Sequence, residues 1–133
     1  MKLETASTAG SKILLIVGWF FSAIPILLMG VGGSLMLLTS PAAAAKGLEA
    51  HGYPSHLVTT IISLEIACAV LYAIPRTAVL GAILMTGYLG GATATHVRVG
   101  EIQWVFPVIF GVIAWLGLFL RDRRLRELLI LRR

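Results

Sequence analysis

The chain has one cysteine, Cys68, in 133 residues, which excludes both an intramolecular disulfide and a Cys-x-x-Cys redox pair. Set in an apolar run, that cysteine reads as a small buried hydrophobe. Acidic residues are also scarce, six against eleven lysines and arginines, for a net charge of +5. What charge there is gathers at the ends, at Lys2, Glu4 and Lys12 and then from Arg121 to Arg133. A nucleic-acid reader spreads basic residues over a folded surface with stacking aromatics between them. Here the aromatics lie inside apolar runs, so the charge reads as membrane flanks and no nucleic-acid partner is expected. Phosphate-cradling glycine motifs and a nucleophile elbow are missing too, which removes nucleotide binding and serine hydrolysis. No internal repeat stands out, and the alanine run 42–45 is the one low-complexity stretch.

What the chain does have is hydrocarbon-compatible sequence: 58% of residues are hydrophobic, well above a soluble domain, so the expected environment is the lipid bilayer. Spans are expected at residues 13–38, 57–74, 78–95 and 102–120, each near or above the roughly 20 residues that cross a hydrocarbon core. The first contains Pro25, which can bend it. Lys2 and Lys12 before that span, and Ala42 to Ala45 after it, imitate a secretory signal, but the apolar stretch exceeds a signal core of about 7 to 15 residues, so it is expected to stay as a span. Pro75-Arg76-Thr77 and His96 to Glu101 are short links; Ser40 to His56 is a longer loop with Gly47, Gly52 and Pro54 as breakers. The expectation is an all-α fold, one transmembrane domain over residues 1–133 built as an antiparallel up-down four-helix bundle.

Lys2, Lys12, Arg76 and the six C-terminal arginines fall on one side of that bundle, against Lys46 and Arg98 on the other. The positive-inside rule then places both termini in the cytoplasm and the loops carrying His51, His56, Arg98 and Glu101 outside. In the basic tail 121–133, Leu125, Leu128, Leu129 and Arg132 recur at helical spacing, which suits either a helix on the inner leaflet or a solvated flank.

Glu65 is the exceptional residue, a lone carboxylate in the middle of the second span. An acid at bilayer mid-depth costs about 2.5–3.5 kcal/mol on insertion scales, so it calls for a partner or a function. On a helix Glu65, Cys68, Ala69 and Tyr72 share a face. In the third span Tyr88, Ala92, Thr95 and His96 form a similar stripe, and Gly87-x-x-x-Gly91 is a close-packing signal. With a rise of about 1.5 Å per residue, Glu65 and Tyr88 fall at similar depth and are expected to meet, with His96 and Arg98 roughly 12 Å nearer the outer surface. Glu65 is then either a proton-exchanging ligand anchor or a neutral acid satisfied by Tyr88 or a helix carbonyl. His96 could accept a proton, ligate a metal axially or sit as an interfacial histidine, the last being favoured; His51 and His56 lack a carboxylate set, so no metal site is expected. Trp19, Trp104 and Trp115 read as interfacial anchors or packing residues.

Read as strings, Gly52-Tyr53-Pro54, Leu64-Glu65-Ile66, Ile74-Pro75-Arg76-Thr77, Gly81-Ala82, Thr86-Gly87-Tyr88-Leu89-Gly90-Gly91-Ala92 and Thr95-His96-Val97-Arg98 resemble the DoxX-like family in order and spacing. The resemblance runs from about the first span to the fourth and is most specific from Glu65 to Arg98. It implies a small four-helix protein of the bacterial cytoplasmic membrane, within the wider DoxX and DoxD grouping. Some relatives look like membrane subunits of redox systems, including a quinone-linked thiosulfate oxidoreductase. The matching positions are Glu65, Pro75, Arg76, Gly81, Tyr88, Gly91, His96 and Arg98. The lack of a paired cysteine sets thiol–disulfide chemistry aside.

The leading expectation is an accessory subunit, not catalytic alone, whose pocket of Glu65, Tyr88 and His96, with Tyr72 and Arg98 as further candidates, holds a quinone or another apolar ligand beside a redox partner protein. Two alternatives stand beside it: a proton-coupled small-molecule transporter, and a purely structural assembly protein pinned by Glu65 and Tyr88. Glycine-rich faces also suit a homo-oligomer.

Overall fold

The computed structural model describes the backbone of residues 2–130 and the side chains of residues 10–128. The inferred face of the tail at Leu129 and Arg132, like the charges of Lys2, Glu4 and Arg133, lies outside the described side chains.

Every regular element among the described residues is helical. Helix α1 (Lys2–Pro25) passes through one widened π-helical stretch (Ile26–Gly32) into α2 (Gly33–Thr39), and together they make the first apolar rod. Pro25 lacks an N–H and its ring crowds the carbonyl one turn back. The rod rewinds there instead of ending, a known response of helices to such a defect. Helix α4 (Val58–Ala73), α5 (Ala78–Arg98) and α6 (Val105–Arg121) follow, with 3₁₀ turns at Ser55–Leu57 and Ile102–Trp104. Four stretches are long and apolar enough to cross a membrane: Gly10–Thr39, Ser55–Ala73, Ala78–Arg98 and Ile102–Arg121. Their outer faces leave Ile16, Phe20, Leu38 and Ile102 exposed, as lipid-facing side chains must be.

One element differs from the reading of the sequence. Residues 41–50, expected as loop, form helix α3 (Pro41–Ala50), with Pro41 in the first turn where its missing N–H costs nothing and the alanine run behind it. Gly47 is carried inside it, and the chain turns only at Gly52, whose φ of +80° suits glycine. The tail does not continue α6 but breaks at Asp122, whose Oδ1 accepts the backbone N–H groups of Arg124 at 2.9 Å and Leu125 at 3.2 Å to start α7 (Arg123–Ile130). Leu125 packs back on the core.

The rods pack as a ring: α1 on α6, α6 on α5, α5 on α4, and α4 on the π-helical stretch and α2. Met29, Cys68, Ala69, Tyr72, Met85 and Leu118 are buried at its centre. Glycines set the closest approaches. A Cβ on Gly81 would run into the backbone of Tyr72, one on Gly117 would lie 2.6 Å from Ser22 Oγ, and one on Gly18 2.5 Å from the Arg121 nitrogen. Among the described residues the Gly87-x-x-x-Gly91 pair does not serve this purpose: a Cβ on Gly87, Gly90 or Gly91 would meet nothing within 4 Å. They stand on the outer side of α5, and periodicity alone does not say which way that helix is rotated.

Candidate functional site

Glu65 and Tyr88 meet. The Tyr88 hydroxyl donates to Glu65 Oε2 at 3.0 Å across the α4–α5 interface. Both side chains are half-buried, and among the described residues the carboxyl has no second hydrogen-bond partner. Room for it comes from Gly33, the first residue of α2, where a Cβ would stand 3.4 Å from Glu65 Oε2 and 3.5 Å from its Cδ. One turn earlier, a Cβ on Gly30 would lie 3.3 Å from Ala69. The π-helical stretch behind Pro25 and the start of α2 thus present one small residue each to the polar face of α4. Gly33 is the member of this site that the sequence reading missed; its signal was a small residue shortly after a helix-interior proline.

Tyr72 shares the Glu65 face of α4 but lies two turns further along, in a different environment. It is wholly buried, with its hydroxyl 2.7 Å from the Ala114 carbonyl and 3.0 Å from Ser22 Oγ. Its own carbonyl accepts Nη2 of Arg121 at 2.7 Å. The Arg121 guanidinium lies between two aromatic faces, 4.2 Å from the Trp19 ring centre and 4.7 Å from that of Tyr72. Its Nε and Nη1 are buried without a hydrogen-bond partner among the described residues. An arginine that composition assigns to a solvated flank is therefore folded into the end of the bundle.

His96 and Arg98 belong to a third place, at the opposite end of α5. His96 Nδ1 faces Glu101 Oε2 at 2.8 Å, and His51 Nε2 faces the same oxygen at 3.0 Å. The two imidazole rings are edge to face, 4.9 Å between centres. Arg98 donates to the His51 carbonyl and sits over the Tyr53 ring, while Tyr53 and Thr95 are joined through their hydroxyls at 2.8 Å. These contacts tie the α3–α4 loop to the α5–α6 turn, where Gly100 at φ +76° reverses the chain. The Gly47 carbonyl at 2.7 Å and the Glu101 carboxylate raise the His51 pKa, while Arg98 opposes them. Hydrogen bonds from His96 and His51 lower that of Glu101. His56, five positions from His51 in the sequence, lies exposed on the following 3₁₀ turn and takes no part.

The candidates read from the sequence thus divide among three levels: Glu65 with Tyr88, Tyr72 with Arg121, and His96 and Arg98 with the α3–α4 loop. An apolar groove of about 600 Å³ lies elsewhere, between α5 and α6 along Leu89, Pro107, Gly111, Val112 and Trp115. Cys68 is buried in the core.

Four apolar helices around a core that buries one free cysteine and one tyrosine define a multi-pass α-helical membrane protein. It belongs to the DoxX-like family, whose model matches residues 20–117 and so takes in most of all four spans and the Glu65–Tyr88 pair. No curated protein and no solved structure gives a significant match.

Proposed function

We propose that this chain is a ligand-binding accessory subunit of a redox system in the bacterial cytoplasmic membrane, holding a quinone-like molecule at Glu65 and Tyr88. The observation that carries the reading is the half-buried Glu65 carboxyl with one oxygen engaged by Tyr88 and no further partner among the described residues. A lone acid in hydrocarbon favours its neutral form, which keeps an O–H to donate. A quinone carbonyl is an acceptor on an otherwise apolar ring, so it matches that donor and the lipid-like surroundings together. Cys68 is single and buried, so the electrons would be carried by the ligand and a partner protein, not by this chain's side chains. The open side of α5 at Gly87, Gly90 and Gly91 offers such a partner, or a second copy, a close approach. The lysine and arginine distribution supports cytoplasmic termini.

The test is purification in native lipid, mass spectrometry of the extracted small molecules, and melting with and without added quinone. The expected result is a co-purified quinone and a melting temperature raised by quinone in the wild type but not in Glu65→Leu. Absence of both would overturn the reading. The bond between Glu65 and Tyr88 equally suits a purely structural pin, and Glu65→Gln separates the two: a stable variant that no longer responds to quinone excludes the pin as the whole role.

A further inference from the structure

The outer clamp contains a chemical mismatch. The Gly47 carbonyl can only accept, so the 2.7 Å contact with His51 Nδ1 places the ring hydrogen on Nδ1. In neutral His51 the other nitrogen, Nε2, then carries a bare lone pair, and it points at Glu101 Oε2 from 3.0 Å. Nδ1 of His96 faces that same oxygen from 2.8 Å. Two imidazole nitrogens and a carboxylate oxygen therefore converge, all within 4.8 Å of one another, and a positive particle has to stand between at least two of them. A proton on His51 is one solution; a cation shared by all three is the other.

We infer that His51, His96 and Glu101 form a binding site for a divalent first-row transition-metal ion such as zinc. Two imidazoles and one carboxylate are a donor set for zinc and its neighbours, whereas calcium and magnesium prefer all-oxygen shells. Tetrahedral zinc with bonds of about 2.0–2.2 Å holds its ligand atoms about 3.3 Å apart. The two contacts at Glu101 need to open by only a few tenths of an ångström, and both glycine turns, at Gly52 and Gly100, lie beside the ligands. Carbonyl support at the far nitrogen of His51 is the outer-shell bond that fixes ligand tautomers in metal sites. The ligands come from the end of α3, the last turn of α5 and the turn before α6. Binding would therefore staple the two loops, with an open position left for water or another ligand. His51 and His96 side chains are 21% and 25% exposed and that of Glu101 40%, so an ion can enter from solvent. The neighbouring cation, Arg98, is already engaged by the His51 carbonyl and the Tyr53 ring.

The experiment uses the full chain in detergent, free of any affinity tag and stripped with a chelator. Equilibrium dialysis against buffered zinc should show one equivalent bound. His51→Ala and His96→Ala should each weaken binding by more than about 100-fold, beyond the loss typical of an outer-shell partner, while His56→Ala should leave it unchanged. Cobalt(II) added to the unmutated protein should give the strong visible absorption of a low-coordinate nitrogen and oxygen site, a readout that does not depend on any variant folding. A wild type that takes up no stoichiometric zinc, a cobalt spectrum identical to the aqueous ion, or equal loss in His56→Ala would each overturn the proposal.

Discussion

The Tyr88 hydroxyl donates to Glu65 Oε2 at 3.0 Å, with no Cβ at Gly33 to crowd the carboxyl from the opposite helix. In a double-mutant cycle of Tyr88→Phe and Glu65→Leu, unfolding in detergent should report a coupling of about 0.6–1.7 kcal/mol, from the average to the maximum found for hydrogen bonds between membrane helices. Additive losses would mean that the two side chains do not interact in the folded protein.

Glycines in this chain are not equivalent. Gly81→Ala places a methyl into the Tyr72 backbone, where neither partner can yield cheaply, and should destabilise by about 1–3 kcal/mol or more. Gly87→Ala enters open space and should leave thermal stability of the isolated chain unchanged. A similar melting temperature for the two variants would refute this rotation of α5.

Arg121 is held by geometry as well as charge, stacked between Trp19 and Tyr72 and bonded to the Tyr72 carbonyl. Lysine keeps the charge but not the flat guanidinium. Arg121→Lys should therefore cost about 2 kcal/mol, the combined scale of a cation–π contact and one charge-assisted hydrogen bond. Denaturant unfolding of the two proteins side by side checks it.

The clamp of His51, His96 and Glu101 should respond to pH in chelator-treated protein. The raised His51 pKa means its contribution is complete below the ordinary histidine value of 6.5 and is lost as pH rises through the folded pKa. The lowered Glu101 pKa means the opposite: its contribution is complete above 4.5 and is lost as pH falls through the folded pKa. Stability from the His51–Glu101 contact, with His96 and Arg98 alongside, is therefore greatest between pH 4.5 and 6.5. Thermal melts across pH should show that window in the wild type and a flatter profile in Glu101→Gln. Matching profiles would contradict it.

Much of this could be read directly from the chain. Lipid leaves a backbone few options, so long uncharged runs bounded by basic residues mark where helices can cross, and the four helical stretches long and apolar enough to cross lie within a few residues of those runs. The Glu65–Tyr88 contact was legible for the same reason, because a fixed helical rise turns residue counts into depth. Helix α3 was not, since Gly47 reads as a breaker although the alanines and Pro41 around it favour a helix.

The sequence by itself determined the membrane class, four runs long and apolar enough to cross, the family and the register that brings Glu65 level with Tyr88, all properties that accumulate along a single helix axis. Only the tertiary structure decided which faces meet. It turned Gly81 inward and Gly87 outward, drew Arg121 between Trp19 and Tyr72, and carried His51 across 45 and 50 positions to His96 and Glu101. Rotation about a helix axis and the path of a loop depend on what packs against them, and neither is encoded in hydropathy or spacing.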